Sequence, residues 1–231
     1  MVTDLYYSIQ EEPKVDPDVF AASSNIMRAS NELALPTRIA VAACIILHRA
    51  SLRIKDLLLD NGHLNVCACC MFLACKINEF PKPLVRIMEE LTQRSNPDDR
   101  VEAGKAQVFR LERRLLIHLG FEIHAVLTRS CLTYLVSEIN ALDECLSDEA
   151  KQNSLAVLLD LHQSDACCRL PPYAIAASAI YIADRLTYPE THGRLAVEGW
   201  YKAFGLTRDG LEYAVGIFEL LSDLAKQEKS T

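Results

Sequence analysis

The sequence predicts an all-α protein built from two similar helical bundles in tandem. Half of its 231 residues are apolar, whereas glycine and proline are few, at 8 and 9 residues. Runs in which apolar β-branched side chains alternate with polar ones, as in half-buried strands, are missing. A chain of this length can form one large or two small domains around a sizeable core. A repeated apolar segment favours two domains.

One uncharged stretch organises the first half of the chain. Residues 64–74 carry no charge and many small side chains, and the stretch then ends abruptly at Lys76 and Glu79. A helix that is apolar on all sides belongs inside a protein. At about 1.5 Å per residue this helix is too short to cross a bilayer. We therefore expect a buried central helix that brings a lysine and an acid to the surface at its C-terminal end.

A second copy of this stretch covers residues 172–185. It lies 109 residues further along, which is the separation of Lys76 and Arg185, and at that offset Phe72 corresponds to Tyr181. Small residues also meet small residues. The match predicts that each half is a bundle around its own central helix. Chance similarity between two buried helices is the alternative.

The helices of the first half follow from local start and stop signals. Asp16 can cap a helix whose first residue is Pro17, and Gly120 is placed to stop a long helix. Asn61–Gly62 closes a short segment before the central helix. Besides the central helix, the predicted segments are helices at 16–33, 35–49, 84–91 and 103–119, and a short helix or loop at 54–62.

The second half repeats this plan. A helix is expected near residues 128–141, Ser147 caps the next one, and Pro172 opens the second central helix. A short helix at 195–204 holds the only tryptophan, Trp200, and Thr207 caps the last helix. The predicted divisions are a tail at 1–15, bundles at 16–124 and 125–225, and a tail at 226–231.

Composition excludes several classes of protein. Cys67, Cys69, Cys70 and Cys75 lie inside an apolar run, where free cysteine behaves as a small hydrophobic residue. Structural zinc sites usually take cysteine pairs from tight turns, so no metal is expected. No secretory signal or membrane-spanning segment is recognisable, and we expect a soluble protein in a reducing, intracellular setting without membrane contact. The net charge of −7 disfavours direct nucleic-acid binding.

Motifs of catalysis are missing from the sequence. It has no glycine-rich phosphate loop, nucleophile elbow, zinc-binding helix or paired-carboxylate signature, so no catalytic residue and no cofactor is predicted. His48 and His162 each end the second helix of a half. A charged imidazole at that place would interact favourably with the helix dipole, which is the simplest interpretation of both residues.

Two charges in apolar surroundings remain as candidates for function. Lys76 ends the central helix, and Glu112 lies inside the fifth helix between Leu111 and Leu115. A buried or half-buried ion is costly unless it is paired. The two residues therefore form a salt bridge within the chain, are solvated separately, or together bind the backbone of a partner protein.

Two segments resemble the cyclin box. They are residues 72–79, Phe-Leu-Ala-Cys-Lys-Ile-Asn-Glu, and the fifth helix with its exit, residues 108–121. The lysine of the first and the glutamate of the second correspond to the hallmark pair of the cyclin family. The resemblance covers about residues 17–224 and is more specific in the first bundle. The His48–Arg49 ending of the second helix is similar to that of transcription-associated cyclins, the branch that includes cyclins H, K, L and Q.

The resemblance implies a non-catalytic regulatory subunit that binds and activates a cyclin-dependent serine/threonine kinase as a heterodimer. It implies that Lys76 and Glu112 bond the kinase backbone and that Glu79 stabilises the motif or adds a polar contact. The apolar part of the contact would consist of Leu73, Ile77, Leu116 and Phe121. The branch implies a role in transcription or RNA processing, with the RNA polymerase II tail as substrate, in the nucleus and possibly also the cytoplasm.

Two alternatives use the same fold. One is a cyclin-fold scaffold that has lost its kinase, against which the presence of both Lys76 and Glu112 counts. The other is a nucleic-acid-binding module like the TFIIB core. That role requires clustered lysine and arginine, whereas this chain is acidic.

Overall fold

A computed structural model describes residues 12–92, 99–123, 128–141, 146–191, 201–202 and 206–228. Within these residues the protein contains helices and no strand, which confirms the all-α prediction. The helices are α1 (Pro17–Glu32), α2 (Thr37–Arg53), α3 (Leu57–Asn61), α4 (His63–Ile77), α5 (Leu84–Thr92), α6 (Asp99–His118), α7 (Thr128–Ala141), α8 (Asp148–Leu161), α9 (Ala166–Arg169), α10 (Pro172–Thr187) and α11 (Arg208–Glu228), and a 3₁₀ turn covers Pro189–Thr191.

Local capping chemistry fixes several of these boundaries as the sequence predicts. The Asp16 carboxylate accepts hydrogen bonds from two backbone N–H groups of the first turn of α1, at 2.9 and 3.3 Å. The hydroxyls of Ser147 and Thr207 each accept one such bond, at 3.1 Å, at the starts of α8 and α11. Gly62 and Gly120 take φ values of +78° and +62° where α3 and α6 end. These caps satisfy backbone groups that the helix itself leaves unpaired.

Two compact units make up the chain. One is Asp16–Ala125, and the other is Val126–Thr231 together with Met1–Val15. In the first unit α4 packs against α1, α2, α3, α5 and α6. In the second unit α10 packs against α7, α8, α9 and α11. Each unit therefore has one central helix, as predicted from the repeated stretch.

Burial of the two central helices agrees with their lack of charge. Residues 66–71 and 73–75 of α4 are at most 2% exposed. Residues 174–180 of α10 are equally buried, and alanine makes up most of that segment. Small side chains allow the surrounding helices to approach closely, so each central helix can be covered on all sides.

The structure departs from the sequence-based expectations at a few places. The segment predicted as a short helix or loop forms α3, and α11 continues to Glu228, into the predicted tail at 226–231. The predicted helix at 195–204 lies outside the described residues, apart from Tyr201 and Lys202. Pro13 packs on α11 at Gly216, where a Cβ atom would lie only 2.8 Å from the Pro13 Cγ. Gly216 is thus needed for this close approach.

No helix within the described ranges combines the length and the apolar character needed to span a bilayer.

Candidate protein-binding site

An ion pair joins the end of α4 to the middle of α6. The Lys76 Nζ donates a hydrogen bond to the Glu112 Oε1 over 2.6 Å. Lys76 stands in the last turn of α4, where the negative end of the helix dipole favours a cation. The Lys76 side chain is 49% exposed and that of Glu112 is 13% exposed. Of the arrangements considered from the sequence, the free chain adopts the internal salt bridge.

Two phenylalanines hold this ion pair in place. The Lys76 Nζ lies 4.2 Å from the centroid of the Phe72 ring, one helical turn earlier in α4. Phe72 in turn packs edge-to-face on Phe109 of α6, with ring centroids 6.0 Å apart. A cation above an aromatic face is attracted by the ring quadrupole. Phe72 and Phe109 are not among the predicted site residues, although their spacings from Lys76 and Glu112 place each pair on one helix face.

Apolar side chains of α4 and α6 surround the pair at different depths. Ile77 and Leu116 are half-buried and pack against the core of the first unit. Phe109 is 50% exposed. Leu73, in contrast, is only 2% exposed and lies in the core. In the free chain Ile77, Leu116 and Phe109 can be reached by a partner, whereas Leu73 supports them from below.

Glu79 and Phe121 lie in the turns that follow α4 and α6. Both have left-handed backbone conformations, with φ of +53° at Glu79 and +60° at Phe121. Such angles are uncommon outside glycine, and for a bulky residue they indicate local strain. Both side chains are exposed, that of Phe121 by 65%. The strained turn therefore presents a large aromatic ring to solvent next to the C-terminal end of α6.

Two arginines of α2 fix the turn that carries Phe121. The Arg53 Nη1 donates to the carbonyl oxygen of His118, and the Arg49 Nη1 donates to that of Glu122, both over 3.0 Å. These bonds satisfy backbone acceptors that the end of α6 leaves unpaired. The position of Phe121 relative to α6 is thus held by side chains from a different helix.

His48 and His162 are core residues, and only His162 lies at a helix end. The sequence predicted that His48 ends the second helix, whereas α2 continues to Arg53. His48 is 4% exposed, and its Nε2 lies 3.2 Å from the Ser23 Oγ. His162 is fully buried, and its Nδ1 donates to the Leu158 carbonyl over 2.6 Å. Burial lowers the pKa of His162 to about 4, because it disfavours the charged imidazolium. For His162 the interpretation as a charged partner of the helix dipole is therefore wrong.

The cysteines of α4 are inert in this structure. All four are buried, and burial raises the pKa of Cys67 to about 12 and that of Cys75 to about 11. A protonated thiol is neither a good nucleophile nor a metal ligand. Within the described part of the chain, no group of three or more His, Cys, Asp or Glu residues is arranged to hold a metal ion.

Comparison with known protein families and sequences gives one match to a family model and several distant relatives. The model "Cyclin, N-terminal domain" matches residues 3–124. Cyclin-L1 of Gallus gallus is 22% identical over 87% of this chain, and Cyclin-T1-3 of Oryza sativa subsp. japonica is 25% identical over 78%. The chain spans only 38% of the length of each of these relatives.

Solved structures with a similar fold include a chain of the yeast RNA Pol II CTD kinase complex CTDK-1. It has a TM-score of 0.67 at 18% identity, over 86% of this chain and 63% of that one. A chain of the CAK complex of Chaetomium thermophilum gives a TM-score of 0.60 at 16% identity, over 95% of this chain and 67% of that one. A viral cyclin from herpesvirus saimiri gives 0.59 at 16% identity, over 94% of this chain and 88% of that one. At these identities the likeness concerns the fold.

Proposed function

The chain belongs to the cyclin family, and we propose that it is the non-catalytic regulatory subunit that binds and activates a cyclin-dependent serine/threonine kinase. The observation that carries this proposal is the Lys76–Glu112 pair, which is partly exposed and framed by apolar side chains at the end of α4. In this assignment residues 16–124 form the kinase-binding cyclin-box repeat, and residues 125–225 form the second repeat.

The ion pair retains capacity to bind a partner. An ammonium group has three donors and a carboxylate has about four acceptor positions, of which the Lys76–Glu112 bond uses one each. Lys76 can therefore donate to a carbonyl oxygen of the kinase while Glu112 accepts from an N–H group. Ile77, Leu116 and Phe121 would supply burial around these polar contacts, as aromatic and aliphatic anchors do at the centres of interfaces.

The remaining site residues would have supporting roles. Phe72 and Phe109 fix the orientation of Lys76, and Leu73 fills the core below them. Glu79 lies in the turn just after α4, where it would add a polar contact at the rim. Binding at this site would push the mobile C-helix of the kinase inward and complete its Lys–Glu pair, which phosphoryl transfer requires.

The kinase would be of the transcription or RNA-processing type. Cyclin-L1 and Cyclin-T1-3 are both transcription-associated cyclins, and this chain carries in its second helix the His48–Arg49 sequence by which it resembles that branch. The proposed substrate is accordingly the RNA polymerase II tail, and the proposed compartment is the nucleus, possibly with a cytoplasmic fraction.

Affinity purification from the native cells, followed by mass spectrometry, tests this function. Wild-type protein should recover a protein kinase, and the Lys76→Ala/Glu112→Ala double variant should not. Titration with the purified kinase should show a loss of about 2–4 kcal/mol in binding free energy, the size expected when hot-spot residues are truncated.

A second ion pair of the same unit provides the matched control. Arg28 of α1 and Glu90 of α5 also join two helices, with Nη1 and Oε1 2.8 Å apart, but they lie outside the proposed site. The Arg28→Ala/Glu90→Ala variant should bind the kinase as wild type does. Recovery of no kinase by a folded wild-type protein would favour the scaffold alternative.

One surface feature favours the nucleic-acid alternative. Arg110, Arg113 and Arg114 are exposed on α6, and within the described residues their side chains make no hydrogen bond or ion pair. Against it, residues 16–125 contain 14 Lys and Arg but also 13 Asp and Glu, so this unit is close to neutral. A gel-shift titration with duplex DNA distinguishes the nucleic-acid-binding module from the kinase regulatory subunit. A nucleic-acid module would bind with strong salt dependence, whereas we expect no complex at physiological salt.

A further inference from the structure

The end of α10 in the second unit repeats one part of the Lys76 site. The Arg185 guanidinium carbon lies 4.4 Å from the centroid of the Tyr181 ring, one turn earlier in the helix. In α4 the corresponding distance from Lys76 to Phe72 is 4.2 Å. Tyr181 is itself held edge-to-face by Tyr201, with ring centroids 6.3 Å apart. Both central helices thus end in a cation fixed above an aromatic ring.

The two cations differ in what neutralises them. Lys76 has the carboxylate of Glu112 at 2.6 Å. Arg185 is exposed, and within the described residues its guanidinium makes no hydrogen bond or ion pair, only the contact with Tyr181. The ring therefore orients a guanidinium whose hydrogen-bond donors no described residue uses.

A groove of about 460 Å³ lies beside Arg185, between α10 and α11. Its apolar lining comes from Ile182 and Leu186 of α10 and from Val215 and Phe218 of α11. Leu186 is 53% exposed. The volume falls within the range of sites that hold small molecules or a few side chains of a peptide. The groove thus places an available cation at the edge of an apolar recess.

We propose that this groove binds a segment of a partner protein in which a glutamate or aspartate is flanked by apolar side chains. The first unit shows which group binds a cation in this position. There Lys76 binds the carboxylate of Glu112, an acidic residue that lies next to the apolar Leu111 in α6. Among the described residues no carboxylate pairs with Arg185, so a partner can supply one. This site is on the second unit and is additional to the proposed kinase-binding site.

The other charged groups that line the groove set the selectivity of the site. The Asp223 carboxylate accepts a hydrogen bond from the Lys226 ammonium over 3.0 Å, and these two charges offset each other. Glu219 is exposed and lines the same groove. Its charge opposes an incoming carboxylate, so its removal should strengthen binding of an acidic segment.

Peptide selection on the purified 231-residue chain tests this proposal. A phage-displayed library of random 16-residue peptides is selected on wild-type protein after depletion on the Arg185→Gln variant. Enriched peptides should share an acidic residue between apolar ones. The affinity of the best peptide is then measured by fluorescence anisotropy. Replacing its acidic residue by the amide should weaken binding about fivefold, the upper range for an ion pair at an exposed site.

Variants of the protein should give a matching pattern. Arg185→Gln should weaken the same peptide about fivefold, Arg185→Lys should largely retain binding, and Glu219→Gln should strengthen it. Arg208→Gln, at an exposed arginine of α11 that pairs with Glu212, is the control and should have no effect. The proposal is overturned if no peptide prefers wild type over Arg185→Gln, or if the selected peptides bind equally well without their acidic residue.

Discussion

The C-terminal ends of the two central helices, α4 and α10, share a design and differ in one charge. In each, a buried helix of small residues ends with a cation fixed above an aromatic ring. In α4 the carboxylate of Glu112 closes the arrangement, whereas beside Arg185 of α10 a groove remains open. The aromatic ring thus positions both cations, but within the described residues only Lys76 is paired with a carboxylate.

This difference separates two ways of using one helix ending. At Lys76 the ion pair is complete, so at the proposed kinase-binding site a partner would bind the pair as a unit, to its donors and acceptors together. At Arg185, which no described carboxylate pairs with, the proposed partner would bring the opposite charge. The first arrangement suits recognition of backbone groups, which present both N–H and C=O, and the second suits recognition of an acidic side chain.

The largest expected change in stability comes from core substitutions that test whether the ends of α4 and α10 are supported by equivalent apolar packing. Leu73 in α4 and Ile182 in α10 correspond at the 109-residue offset, and they are 2% and 5% exposed. Replacing either by alanine should lower the free energy of unfolding by about 2–5 kcal/mol, because it removes buried apolar contacts and leaves a cavity. Urea unfolding followed by circular dichroism measures this loss.

The control for these core substitutions is Leu59→Ala in α3, because Leu59 is 84% exposed. Its effect should stay within about 0.5 kcal/mol, as is usual at the surface. A loss at Leu73 no larger than at Leu59 would show that the end of α4 is not supported by core packing. A large loss at only one of Leu73 and Ile182 would break the structural equivalence of the two helix ends.

Features set by local chemistry were predictable from the sequence. The caps at Asp16, Ser147 and Thr207 and the stop at Gly120 depend only on residues within one turn. The burial of α4 and α10 was predictable because both helices contain long segments without charged residues, and such apolar segments are unfavourable in water. The 109-residue offset of the repeat also aligns Lys76 with Arg185 from the sequence alone.

Most contacts between distant residues could not be predicted in this way, and even the Lys76–Glu112 salt bridge was only one of three arrangements that the sequence left open. Arg53 binds the carbonyl of His118, 65 residues away, and nothing in the local sequence of either residue indicates it. The edge-to-face packing of Phe109 on Phe72 likewise depends on how α6 crosses α4. Leu73 shows a related limit, since helical spacing places it beside Lys76 but does not tell how deeply it is buried. Side-chain pairing across helices requires the tertiary packing.

The second unit should also be sensitive to acid through His162. The pKa of this buried imidazole is lowered to about 4 in the folded chain, against about 6.5 when it is exposed in the unfolded chain. Between these values the unfolded chain takes up a proton that the folded chain does not. The free energy of unfolding should therefore fall by about 3 kcal/mol as the pH is lowered from 6.5 to 4.

The pH profile of the urea midpoint checks this expectation, with His162→Gln as the comparison. Between pH 6.5 and 4 the urea midpoint of the variant should change less with pH than that of wild type, whatever its absolute stability, because the titrating imidazole is gone. Burial also raises the pKa of nearby Asp160, so on acidification the folded chain protonates this carboxyl before the unfolded chain does. Asp160 therefore adds to the free energy of unfolding as the pH falls, opposite to His162. Parallel profiles for wild type and variant would show that His162 does not carry the acid sensitivity.

The smallest effect concerns the charge that distinguishes the two helix ends. Glu112→Gln removes the carboxylate that pairs with Lys76, and Glu219→Gln removes one that lines the groove beside Arg185. Because Lys76 is half exposed, the first change should cost at most about 1 kcal/mol of unfolding free energy, and less in high salt. The second should be neutral within about 0.5 kcal/mol, since Glu219 closes no ion pair within the described residues. Urea unfolding at low and high salt measures both changes in the free energy of unfolding.

Equal losses from the two variants would mean that Glu219 already pairs with Arg185 as Glu112 pairs with Lys76. The groove would then lack the available cation on which recognition of an acidic segment depends.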